Sequence, residues 1–314
     1  MNAPLVSVLM SVRNGVPYVG DAIASIRNQT FRDYEFIIVN NASTDGTVAV
    51  LEQEAAADPR IRVFHNHTNL GHSGALNRGL RECQGQWIAR MDADDIALPQ
   101  RFERQLAFLE TEAGVLVTSC LAHYIDEHGN KIGKTAHDLI SREAFVRYQR
   151  ENLAIGILHP GAMLDRALLC RIGGYRSAYD PANDIDLWGR MVDAGAVILV
   201  QSEYLMNYRV HAGSATAQDF ALIRLKYQWA RDCMRARRAH SPEPSWEVYV
   251  EERRNAPLWL RLNRWRKTSA RRLYRQSAQH LMSKKAALAV AEFGGAVLLQ
   301  PLYAIPRIVG QRLK

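Results

Sequence analysis

Cysteine is scarce in this chain. The 314 residues hold four, Cys83, Cys120, Cys170 and Cys233, with no CxxC pair and no zinc-ligand spacing. That excludes a disulfide scaffold and a thiolate metal site, and leaves four small side chains suited to burial in a reducing compartment. No GxGxxG or GxxxxGK[ST] run occurs, so the glycine cradles of nicotinamide dehydrogenases and P-loop kinases are missing. No apolar run reaches the roughly 20 residues that cross a bilayer. The nearest, Ala286–Leu299, is broken by Glu292 and followed by Gln300-Pro301. Met1–Leu5 shows no charged region leading into an apolar core, so no secretory signal is visible and the cytoplasm is the expected compartment.

The composition, 47% hydrophobic and 23% charged, is that of a globular protein. Its +8 net charge is unevenly spread. Through residue 219 there are 20 Lys+Arg against 26 Asp+Glu; from residue 220 onward there are 20 against 6. Two regions are therefore expected, 1–218 and a basic, helical 219–314. A basic tail suits an anionic membrane, nucleic acid or an acidic partner, and solvated helix faces are the plainer alternative. Basic residues beside an apolar segment favour the membrane over nucleic acid, with Ala286–Leu299 as an in-plane segment on the cytoplasmic face or, equally, a core helix.

The first hundred residues alternate strand and helix signals. Apolar runs at Leu5–Ser11, Tyr34–Val39, Ile61–Phe64 and Trp87–Met91 are separated by helical spacing at Val19–Asn28, Thr47–Ala57 and Ser73–Cys83. This implies crossovers and a largely parallel sheet buried on both faces, an α/β fold. Further on, Arg101–Thr111, Arg166–Ile172 and Ile185–Ala194 read as helices. Val115–Tyr124, His159–Leu164, Val197–Val200 and Leu205–Val210 read as strands.

Ligands of parallel sheets bind at the carboxyl ends of the strands. The loops expected there are Ser11–Gly15, Asn40–Gly46, Asn66–Gly74 and Asp92–Asp95. Together they supply amides, hydroxyls, glycine backbone and carboxylates, as a nucleotide requires. Three carboxylates within Asp92-Ala93-Asp94-Asp95 repel one another unless a cation intervenes, and oxygen donors suit Mg²⁺ or Mn²⁺. The alternative is a helix N-terminal cap ahead of Leu98-Pro99.

Taken together, Val6–Asn14, Ala24–Thr30, Phe36–Thr47, Asn69–Leu80 and Trp87–Pro99 resemble, in order and spacing, the family 2 inverting glycosyltransferases of GT-A fold. The resemblance runs from about Leu5 to His211. It implies a GT-A nucleotide-binding sheet with a mostly helical C-terminal extension. Ser11, Arg13 and the Asn40-Asn41 pair resemble a nucleotide-base pocket. Asn69, Gly71 and Asn77 resemble the segment beside ribose and diphosphate, and Asp92 a ribose or donor-sugar contact. Asp94 resembles the metal ligand. Arg209-Val210-His211 is similar to the family's Arg-x-His, which places Arg209 near the diphosphate and His211 near the metal. Asn183–Trp188 is similar to the Glu-Asp-x-x-Leu-Trp stretch whose aspartate is the catalytic base, here Asp184; a helix N-cap is its plainer role. His159, Gly174, Tyr175 and Trp188 fall where relatives approach the acceptor.

Two departures bear on the donor. Many relatives carry an aspartate pair at Asn40-Asn41, and many an arginine where this chain has Leu76. The resemblance implies an enzyme that uses Mn²⁺ or Mg²⁺ to move a sugar from a nucleotide-sugar to a hydroxyl of a glycan or lipid-linked acceptor, in cell-surface polysaccharide synthesis. The rivals are a nucleotidyltransferase that makes nucleotide-sugars and a non-catalytic protein that binds them.

Overall fold

Valine- and isoleucine-rich segments early in the chain form β1 (Val6–Val12), β2 (Tyr34–Asn41), β3 (Ile61–Asn66) and β4 (Trp87–Met91). They are joined by α1 (Val19–Arg27), α2 (Thr47–Ala57) and α3 (Gly71–Leu80). The computed structural model describes residues 3–211, 213, 220–282, 286–301 and 304. The four strands lie in the order β3-β2-β1-β4, all parallel, with Val6 opposite both Tyr34 and Trp87. β1 and β2 are buried on both faces, which explains their nearly unbroken apolar sequences. Parallel order brings their four carboxyl ends to one edge.

The sheet continues through β5 (Ile96–Ala97), β6 (Val115–Ile125), β7 (Lys131–Lys134), β8 (Met163–Asp165) and β9 (Val197–Arg209). Beyond β4 the order is β8-β6-β9-β5, with β7 on β6. β8 runs antiparallel to β4 and β6, so the nine-stranded sheet is mixed. Around it lie α4 (Arg101–Thr111), α5 (Arg142–Arg150), α6 (Arg166–Arg171) and α7 (Asn183–Asp193).

Three local expectations are corrected. His159–Leu164 is not one strand: His159–Gly161 is a 3-10 turn, since Pro160 has no N–H to give a ladder, and β8 starts only at Met163. Val197–Val200 and Leu205–Val210 are parts of a single 13-residue strand that pairs with β6 through register shifts. α5 was not foreseen, because Phe145 is its one buried residue and its apolar signal is weak. Ser141 caps it by accepting from the Ala144 N–H at 3.2 Å.

Packing follows size. α3 lies close on the sheet because Gly79 has no side chain; a Cβ there would meet Leu9 Cδ1 at 2.5 Å and Val39 Cγ2 at 2.9 Å. Arg101 is wholly buried. Its guanidinium donates to the carbonyls of Arg90 (2.9 Å) and Ala162 (3.2 Å), tying α4 to β4 and the turn before β8. Burial lowers its pKa to about 10.

The chain divides into two compact units, Met1–Ala217 with Lys226–Glu243, and Gln218–Leu225 with Pro244–Lys314. The first takes in most of α8 (Phe220–Arg238), which the sequence boundary at 218/219 assigns to the tail. The reason is local: Trp229 stacks on Tyr179 at 4.1 Å, and Arg237 and Arg238 pair with Asp193. The second unit holds α9 (Trp246–Asn255), α10 (Leu258–Met282) and α11 (Ala286–Leu299). α10 and α11 pack together, Ser277 Oγ donating to Ala289 O at 2.8 Å. Among the described residues no helix is long and apolar enough to cross a membrane.

Gly79→Val should cost about 1–3 kcal/mol by overpacking α3 against β1 and β2, read as a lower urea midpoint. An unchanged midpoint would mean that α3 has room to move.

Candidate active site

The four strand-end loops meet, and they are held by one another. Asn14 N donates to Ser43 Oγ (3.0 Å), Thr44 N to Asn14 Oδ1 (2.8 Å), and Gly15 N to Thr47 Oγ1 (2.7 Å). Asn14 and Ala42 sit at positive φ, 54° and 58°, so both turns are sharply bent. Ser11 Oγ lies 3.3 Å from His72 Nδ1 at the start of α3.

The asparagine pair differs from its expected exposure to a base. Asn41 donates to Asn69 Oδ1 (2.8 Å) and Gly71 O (3.1 Å) and accepts from Asn66 Nδ2 (3.0 Å) and Leu70 N (2.9 Å). Its hydrogen-bonding capacity is filled. Asn40 accepts from Ser43 N and donates to His65 Nδ1, whose Nε2 in turn reaches Glu52. Both are buried and shape their loops. Asn69, Gly71 and Ser11 line the same edge, with Arg13 exposed beside them.

The aspartates after β4 do not cap a helix. Ile96–Ala97 follows them as a strand, and α4 begins only after Gln100. Ligand atoms of Asp92, Asp94 and Asp95 lie within 4.8 Å of one another. Asp92 and Asp94 each have a basic neighbour, and Asp95 takes a backbone N–H. Arg90, wholly buried in β4, donates from Nη2 to Asp92 Oδ1 and reaches His72 Nε2 at 3.1 Å. Asp94 Oδ2 lies 3.0 Å from His211 Nε2. Asp95 Oδ1 accepts from Arg209 N at 2.8 Å. The other oxygen, Asp95 Oδ2, is buried with no hydrogen-bond partner among the described residues. Burial, and then the neighbouring Asp94 and Asp92 charges, raise the Asp95 pKa well above the usual carboxyl value. An orphaned carboxylate oxygen amid hard oxygen donors, with a histidine alongside, fits a divalent cation.

Arg209 serves this loop differently than expected. Its guanidinium donates to the carbonyls of Asp94 (2.8 Å), Asp126 (3.1 Å) and Glu127 (3.2 Å), and lies 4.5 Å from the Tyr18 ring. It is buried as a strut under the aspartates.

Asp184 lies in the first turn of α7, whose N-cap is Ala182. Three side-chain links tie this turn to α3: Asn183 Nδ2 donates to Ser73 Oγ (2.7 Å), Ser73 Oγ donates to Asp180 Oδ1, and Ser73 N donates to Asp180 Oδ2 (3.1 Å). His72, beside Ser73, is itself bonded to Arg90. Desolvation, with a smaller push from the Asp92 carboxylate, raises the Asp184 pKa to about 6. The Asp92 charge is thus felt at Asp184. Asp186 faces the other way. It is buried under Arg176 and Arg190 (2.8 Å), and anchors the helix.

The residues expected at the acceptor are mostly buried. Trp188 has no exposed surface and cannot lie on a sugar face. It packs 5.7 Å from the His159 ring, and His159 Nε2 lies 3.0 Å from the Tyr175 hydroxyl. Burial, then Arg90 and His72, hold His159 neutral with a pKa well below its ordinary value. Asn77, expected at the diphosphate, spends its side chain on the Tyr175 backbone: Nδ2 donates to O (2.7 Å) and Oδ1 accepts from N (2.9 Å). Gly174, at φ +67°, is needed because a Cβ would meet Asn77 Oδ1 at 2.5 Å. Arg90, His72, Ser73 and Asp180 support these loops and are not singled out by the sequence. Arg90 and His72 carry no pattern in one dimension; Asp95 was visible within the acidic run.

A parallel sheet edge carrying a carboxylate cluster, in a chain that also buries a carboxylate of raised pKa at Asp184, is an arrangement suited to a group-transfer enzyme. The sequence model described as Glycosyl transferase family 2 matches residues 7–172. An uncharacterised glycosyltransferase of Methanocaldococcus jannaschii is 30% identical over 213 residues, 67% of this chain and 72% of that one. The O-antigen biosynthesis glycosyltransferase WbnJ of Escherichia coli is 31% identical over 219 residues, 66% of this chain and 80% of that one. In three dimensions the chain is similar to mannosyltransferase PcManGT of Pyrobaculum calidifontis, solved with GDP-Man and Mn²⁺. The TM-score is 0.57 at 17% identity, covering 100% of this chain and 81% of that one. The chain belongs to the family 2 glycosyltransferases, and its fold is GT-A.

Asn77→Ala should cost about 1–3 kcal/mol by leaving two buried backbone groups unpaired, seen as a lower melting temperature, with nucleotide affinity of the folded protein kept. Lost affinity at unchanged melting temperature would instead put Asn77 on the donor.

Proposed function

We propose that this glycosyltransferase moves a sugar, with inversion, from a nucleotide-sugar donor to a hydroxyl of a glycan or lipid-linked acceptor in cell-surface polysaccharide synthesis. The observation that carries the reading is the cluster of Asp92, Asp94 and Asp95 at the end of β4, with one carboxylate oxygen unpartnered among the described residues; Asp184, desolvated by burial, is the candidate base. The name of the O-antigen relative supports the class of product.

In the reaction the acceptor oxygen attacks the anomeric carbon as the bond from that carbon to the diphosphate breaks. Asp184 takes the hydroxyl proton, a role for which a pKa near 6 is well placed. Asp94 and His211, with Asp92 and Asp95, are the residues that would hold Mn²⁺ or Mg²⁺. A divalent cation bound there supplies positive charge toward the departing diphosphate. Ser11, Arg13, Asn69 and the Gly71 backbone are the donor-facing groups. Asn40, Asn41, Arg90 and Arg209 position them and the aspartates. Gly174, Tyr175 and His159 support the acceptor side from beneath.

A base must be ionised to act, so kcat/KM should fall as pH drops through about 6. Asp184→Asn should reduce transfer by about 10²-fold or more while nucleoside diphosphate still raises the melting temperature. The same variant should be at least as stable as wild type at neutral pH. A carboxyl whose folded pKa is raised costs stability once pH exceeds it, and that cost vanishes below the unfolded value. Substantial turnover by Asp184→Asn would remove it as base.

Asp94→Asn should abolish the Mn²⁺-dependent part of the nucleotide-induced thermal shift. Nucleotide-sugar incubated with acceptor should release nucleoside diphosphate; release of pyrophosphate would assign the nucleotidyltransferase reaction instead.

A further inference from the structure

The second unit carries a surface the transfer reaction does not use. α10 opens with Leu258, Trp259, Leu262 and Trp265, exposed by 66%, 66%, 55% and 61%. At about 100° per residue, Leu258, Leu262 and Trp265 fall within an arc of roughly 60°, with Trp259 at its margin. Soluble proteins seldom leave two tryptophans and two leucines together in water. Arg261 and Arg266 flank the arc, both exposed, and among the described residues no carboxylate pairs with either. The 25-residue helix holds seven Lys+Arg and no Asp or Glu.

These features choose the occupant. A second copy of this face would bring like charges together around the stripe. Nucleic acid would satisfy the arginines but not two exposed leucines between indoles. An anionic lipid surface satisfies both: indoles and leucines enter the boundary between headgroups and acyl chains, while guanidinium groups meet lipid phosphates. α11, the segment singled out in the sequence for a membrane surface, has no basic residue of its own and packs on α10 through Tyr274–Phe293 and Ser277–Ala289. We infer that the exposed stripe Leu258–Trp259–Leu262–Trp265 with Arg261 and Arg266 is an in-plane anchor for anionic membrane.

The test is flotation of the full-length chain with phosphatidylcholine vesicles, with or without about one-third phosphatidylglycerol. The wild type should float with the anionic vesicles, and raised salt should weaken it. W259S/W265S and R261E/R266E should each reduce the floated fraction roughly fivefold or more. Both should keep the wild-type thermal shift with nucleoside diphosphate and Mn²⁺, since the substituted side chains are exposed. Wild type remaining at the bottom of the gradient, or both variants floating as wild type does, overturns the inference. So does a wild-type dimer dissolved by W259S/W265S without any flotation, or retention on RNA in place of vesicles. The outcome does not depend on Asp184 being the base.

Discussion

Three carboxylates crowded at the end of one strand are the constraint on which this site is built. Alone, Asp92, Asp94 and Asp95 would repel one another and splay the loop. Two buried arginines and a histidine hold it instead: Arg90 beneath Asp92, Arg209 behind Asp94 and Asp95, His211 on Asp94. Neither guanidinium is exposed, so the site keeps its basic support inside, with Asp92 and Asp94 half-exposed and Asp95 buried. One oxygen, on Asp95, is left unpartnered. A buried orphan of that kind is costly, and functional sites are where such costs are retained.

The second carboxylate is mounted on separate machinery. α7 is fixed from behind by Asp186 among Arg176, Arg190 and Arg237. It is fixed from in front by Asn183, Ser73 and Asp180. Asp184 stands between these two sets of bonds, held but not neutralised. The result is opposite treatment of similar residues: Asp186 is paired, Asp184 is desolvated. His159, Tyr175 and Trp188 pack together as a buried cluster.

The C-terminal unit follows a different logic. Basic residues predominate there, and the exposed tryptophans of α10 lie beside Arg261 and Arg266, with which no described carboxylate pairs. A catalytic unit that holds its charges in internal pairs is thus followed by helices that present theirs to the outside. The charge split along the sequence, acidic before residue 220 and basic after it, falls earlier, since Lys226–Glu243 belongs to the first unit.

Much of the fold was legible because apolar spacing reports local structure. The four early strands, their helices and the convergence of their loops follow from alternating patterns, while the roles of Asp94, His211 and Asp184 are what the family resemblance implies. Contacts between distant residues were not legible. Asn40, Asn41 and Asn77 look like ligand contacts in sequence, yet their amides are taken by Ser43, Asn69 and Tyr175, partners 3 to 98 positions away. Trp188 looks like a sugar platform and is buried against His159. Sequence by itself determined which residue types stand at the strand ends, because strand and helix periods are local. Tertiary structure alone decided which of them face the cleft, because hydrogen-bond saturation and burial depend on what the rest of the chain brings alongside.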